Sequence, residues 1–130
     1  MTGKFEDIKI VSLDDGASGP SGQGSLFRMV LKLSASVPTE WADYFNRAWE
    51  GHFYMMKRRA SASGNRIEII CATEELQSDH VPELKKIIAE TNQSYREYVN
   101  RRHKEQAAKA EAEMKRKETL SNLKNNLKFD

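Results

Sequence analysis

Residues 38–51 read PTEWADYFNRAWEG, and the spacing of their large apolar side chains decides the fold. Trp41, Tyr44, Phe45, Ala48 and Trp49 fall at i, i+3, i+4, i+7 and i+8, which places them on one broad face of a helix. Pro38 suits the first turn, because its φ is preset and it has no N–H to leave unpaired. Gly51 supplies the stop. A helix with a single aromatic stripe has to bury that stripe against another layer, and the flanking segments supply it.

On the N-terminal side, LFRMVLKLSAS (26–36) sets Phe27, Met29, Leu31 and Leu33 in alternation with Arg28, Val30, Lys32 and Ser34. That is a strand with one face on a core and the other mostly wet. FEDIKIVSL (5–13) reads as an earlier strand, and the Gly/Ser-rich 16–25 between them as a mobile loop. On the C-terminal side, HFYMMKRRASA (52–62) and RIEIICA (66–72) read as two further strands. They join across Gly64 and Asn65, which tolerate the positive φ of a hairpin turn.

Thr73, ahead of Glu74 and Glu75, is expected to cap a short helical turn. A long helix follows from about Val81–Pro82. Val81, Leu84, Ile88, Thr91, Tyr95 and Tyr98 are spaced 3, 4, 3, 4, 3, a seam that faces a partner surface and that Ile87 and Val99 widen. Beyond Asn100 the seam gives way to opposite charges four apart, among them Glu105–Lys109 and Lys109–Glu113, with alanines between. Such a composition keeps a helix soluble without a core. Leu120, Leu123 and Leu127 then form a short apolar patch. Unbroken to Leu127, this helix measures on the order of 70 Å at 1.5 Å per residue.

The predicted order is therefore β-β-α-β-β-α. It implies an α+β, two-layer domain: a four-stranded antiparallel sheet with both helices on one face and a long C-terminal helical extension. The division expected is a domain over 1–100 and a charged helix over 101–130.

Composition agrees with a small domain carrying a polar appendage. Hydrophobic residues make up 38% and charged residues 31% of the 130, a polar balance for one core. Residues 101–128 hold nine Lys/Arg against four Glu, a local +5; since the whole carries +2, the remainder carries −3. A mildly acidic body thus ends in a basic tail. The single cysteine excludes an internal disulfide, and the opening MTGKFEDIKI has neither the basic nor the apolar stretch of a signal peptide. With apolar runs far shorter than a membrane span, a cytoplasmic protein with no membrane partner is expected.

No catalytic, cofactor or metal motif emerges, so no catalytic, cofactor-binding or metal residue is assigned. The glycines at 16, 19, 22 and 24 lack the G-x-G-x-x-G spacing and lead into a strand, leaving no helix N-terminus to hold a phosphate. Cys71 alternates with Ile67 and Ile69 as a small core residue would. The three histidines are scattered, and the adjacent acids Asp14–Asp15 and Glu74–Glu75 point apart on any regular backbone.

Two surfaces stand out instead. The first is the outer part of the long helix, with Tyr95, Tyr98, Val99, Met114, Leu120, Leu123 and Leu127 as interface candidates. The function expected from it is that of a non-enzymatic interaction or regulatory module, one that self-associates, as a homodimer, or docks a protein partner. The second is a basic sheet face of Arg28, Lys32, Lys57, Arg58, Arg59 and Arg66, which with the basic tail suits nucleic acid. A third alternative is a small-ligand binder or enzyme with a pocket between the first helix and the sheet.

Overall fold

The computed structural model describes residues 5–129 and has the α+β architecture expected from the strand and helix order. The strands are β1 (Ile10–Leu13), β2 (Gly19–Pro20), β3 (Phe27–Leu33), β4 (Ala60–Ser63) and β5 (Arg66–Cys71). The helices are α1 (Thr39–Gly51) and α2 (Val81–Asn126). The antiparallel sheet runs β1-β3-β5-β4, with the two-residue β2 paired to the end of β3. The chain divides into two compact units after Arg96. Among the described residues, no helix is long and apolar enough to cross a membrane.

In the first unit, Met29, Leu31 and Leu33 of β3 and Ile67, Ile69 and Cys71 of β5 form one buried face. Trp41, Phe45 and Trp49 of α1 and Leu84, Ile87 and Ile88 of α2 pack on that face. The α1 rings lie nearly parallel along the helix, with centroids 5.7 and 6.1 Å apart. The 3.6-residue and two-residue periods read from the sequence thus meet at a single core. The hairpin at Gly64 turns with φ 58°, a left-handed conformation that favours glycine.

Several expectations are corrected. Phe27 is not core: at the far end of β3, paired with Cys71, it is 36% exposed. Val30 is not wet: it is 1% exposed, its N–H bonded by Ser18 Oγ and its carbonyl by the N–H of Asp14. The Gly/Ser segment is not simply a loop. Asp14 accepts hydrogen bonds from residues 17 and 18, and Ser21 Oγ donates to the Leu26 carbonyl, which positions β2 as a fifth strand. Residues 52–59 are not strand either. A tight turn with Met56 at φ 65° delays β4 until Ala60. Thr73 opens a 3₁₀ turn without capping it, its hydroxyl donating to Glu74; a π turn, Leu76–His80, then leads into α2.

Ahead of β1 the chain still follows β3, the Ser34 N–H donating to the Lys9 carbonyl, and a side chain meets the backbone groups of Ile8. Asn92 of α2 accepts the Ile8 N–H at 3.0 Å and donates to the Ile8 carbonyl at 2.9 Å. Its Oδ1 also accepts Trp41 Nε1–H at 3.0 Å. At the opposite edge, Asn46 of α1 does the same for β4, accepting the Ala62 N–H at 2.7 Å and donating to its carbonyl at 3.3 Å. An asparagine amide offers one acceptor and two donors, so each satisfies backbone groups that an edge would otherwise leave open.

Candidate functional site

A polar cluster lies where the 52–59 turn meets the 3₁₀ and π turns ahead of α2. Arg58 makes a two-pronged ion pair with Glu75, Nε and Nη2 each 3.0 Å from a carboxylate oxygen. Glu75 Oε1 is also 3.1 Å from His80 Nε2, and His80 Nδ1 is 2.7 Å from the Tyr54 hydroxyl. Beside this chain, His52 Nε2 meets Glu83 Oε1 at 2.6 Å, and Trp49 Nε1–H donates to the Arg58 carbonyl.

Electrostatics set the proton positions. Hydrogen bonds from Arg58 and then His80 hold the Glu75 carboxyl down at about 2, so it is a carboxylate at neutral pH. Burial pushes the Tyr54 phenol up to about 12, and the hydroxyl keeps its proton. Tyr54 therefore donates to Nδ1 of His80, which leaves Nε2–H to donate to Glu75. The His52 contact lowers the Glu83 carboxyl as well. A glutamate–histidine–tyrosine chain has the connectivity of an acid–base relay, but the imidazole is wholly buried with both nitrogens engaged. Burial also raises the Cys71 thiol, away from the thiolate a nucleophile requires. Among the described residues no cluster of His, Cys, Asp and Glu could hold a metal ion, and no buried side-chain polar atom lacks a partner.

The six cations of the sequence-derived basic face separate into two groups. Lys57 donates to the carbonyls of Trp49 and Glu50 at the C-terminus of α1, and Arg58 is tied to Glu75; neither lies on the sheet face. Arg28, Lys32 and Arg66 do share the face opposite the helices, Lys32 directly across from Arg66, with Arg59 just ahead of β4 and bonded to Ile70. Arg28 pairs with Glu68 at 2.8 Å. Lys32, Arg59 and Arg66 are exposed and without an ion-pair partner among the described residues.

The helical candidates separate too. Tyr95 belongs to the first unit, its ring 4.7 Å from that of Phe5. Tyr98 accepts a hydrogen bond from Arg102, whose guanidinium lies 5.8 Å from its ring, and Val99 is half-buried. Leu120, Leu123 and Leu127 are 58%, 51% and 48% exposed and share one face. Met114, also exposed, lies about half a turn round the helix from Leu123, at 3.6 residues per turn.

Sequence reading missed the Arg58–Glu75–His80–Tyr54 chain, whose members lie on irregular backbone with no shared period. It also missed the apolar tip of the 52–59 turn, where Phe53, Met55 and Met56 face solvent. Their β-like composition suggested a strand, and only the left-handed Met56 marks the turn. No protein-family model, curated protein or solved structure matches the chain.

Proposed function

We propose that this chain is a non-enzymatic, cytoplasmic interaction module that self-associates as a dimer through the C-terminal part of α2. The observation behind it is the exposure of Leu120, Leu123 and Leu127 on a helix with no core of its own from Arg101 onward. A lone helix of that composition is marginal in water. Its charge pairs contribute about 0.2–0.5 kcal/mol each, and packing against a second helix is the usual remedy.

The charge pattern favours a second copy running antiparallel. Val99, Gln106, Glu113, Leu120 and Leu127 repeat every seven residues, as do Arg102, Lys109, Arg116 and Leu123, giving the two seam positions of a heptad. Side by side and parallel, two such helices stack Arg102, Lys109, Glu113 and Arg116 against their own kind. Antiparallel and centred near Glu111, they place Lys109 against Glu113 and Val99 against Leu123. Opposite charges across the seam choose orientation as well as partner.

The test is solution mass by light scattering. The full chain is expected to be a dimer, and Leu123→Glu or termination after Arg101 to give a monomer. Orientation is read by cross-linking a chain carrying Val99→Cys and Leu123→Cys: antiparallel packing joins residue 99 of one copy to residue 123 of the other, whereas parallel packing joins each to its own kind. A full chain that stays monomeric at high concentration refutes the proposal.

A further inference from the structure

Strand register assembles a second surface, independent of the helix. Ser12 of β1 pairs with Lys32 of β3, Lys32 with Arg66 of β5, and Arg66 with Ser63 of β4, so these four side chains form one row across the sheet. The next row on the same face is Val30, Glu68 and Ser61. The third sets Arg28 opposite Ile70, whose N–H donates to the Arg59 carbonyl at 3.1 Å. Arg59 and Ile70 also line a cavity of about 430 Å³ with Gln23, Leu26, Lys57 and Arg58. Four cations thus share this side of the sheet with two acids: Glu68, which Arg28 already neutralises, and Asp14, opposite Val30 at the edge, whose Oδ1 accepts the Ala17 N–H.

We infer that this helix-free face binds the phosphate backbone of a nucleic-acid duplex. Three observations select that occupant. Lys32, Arg59 and Arg66 are exposed and uncommitted among the described residues, and the serine hydroxyls beside them are further donors to phosphate oxygens. The face carries no aromatic ring, so it has no platform on which unpaired bases stack, and a duplex suits it better than a single strand. Its apolar members, Val30 and Ile70, are buried and half-buried, leaving nothing to insert into a lipid surface. Such contacts position a duplex without reading its bases.

The test is fluorescence anisotropy of the full chain with a short labelled DNA duplex, the matching single strand, and vesicles of anionic phospholipid as competitor. Each neutralised phosphate contributes about −0.9 to the slope of log affinity against log salt. Three contacts therefore predict a fall of about 40-fold between about 50 and about 200 mM. Lys32→Glu with Arg66→Glu should weaken duplex binding at least tenfold while leaving the solution mass and urea midpoint unchanged. Arg59→Glu alone should weaken it less and flatten the salt slope by about one contact. Absence of duplex binding at the lowest salt overturns the inference. So do tighter binding of the single strand, equal competition by vesicles, and affinity that survives the sheet variants but is lost when residues 102–130 are removed.

Discussion

Replacing Asn92 by alanine tests how the sheet edge is closed. Asn92 is 5% exposed, and its amide serves three groups: the N–H and carbonyl of Ile8, itself buried, and the indole N–H of fully buried Trp41. A buried polar group stripped of its partner costs about 1–3 kcal/mol, and three that share one vacated site, with some water admitted, should cost about 3–5 kcal/mol together. Against a typical domain stability of about 5–15 kcal/mol that is a large share. The assay is urea unfolding followed by the fluorescence of Trp41 and Trp49. Asn46→Ala is the internal control: it bonds the backbone of one residue only, from a half-buried position, and should cost about 1–2 kcal/mol. Asn92→Asp should fall between, because it keeps the acceptor for Ile8 and Trp41 but presents no N–H to the Ile8 carbonyl. If Asn92→Ala costs less than about 0.5 kcal/mol, or less than Asn46→Ala, the edge-closing role is wrong.

Trp41→Ala should cost about 3–5 kcal/mol by the same assay, as large aromatic truncations in packed cores do. A loss below about 1 kcal/mol would mean that the stacked α1 rings are not the centre of the core. Cys71 is buried and its thiol raised, so the native protein should react with a thiol reagent at neutral pH only as fast as it unfolds; rapid labelling contradicts this. Glu75 has a depressed carboxyl, so its contribution is present above the unfolded value of 4.5 and lost as pH falls toward about 2. Stability measured across that window should drop more steeply for the wild type than for Glu75→Gln, and parallel profiles would show that the Arg58–Glu75 pair does not carry the acid sensitivity.

The two periodicities were legible in the chain because each repeats within a single element. The spacing of Trp41, Phe45 and Trp49, and the alternation of Met29, Leu31 and Leu33, each define a face without reference to anything distant. The hairpin at Gly64 was equally local, since one residue's tolerance of positive φ decides it. Strand length was not local. Phe5 to Leu13 has strand composition throughout, yet the regular strand is only Ile10–Leu13, and the backbone at Ile8 is met by a side chain 84 residues away. The same distance in sequence hides the basic face: Arg28, Lys32 and Arg66 were visible as cations, but register alone aligns Lys32 with Arg66, brings Arg59 beside Ile70, and removes Lys57 and Arg58 to other duties. Composition and period determined which elements form and which side of each is apolar. Tertiary structure decided where the strands stop and which polar groups find one another, because hydrogen bonds between distant residues leave no period in the chain.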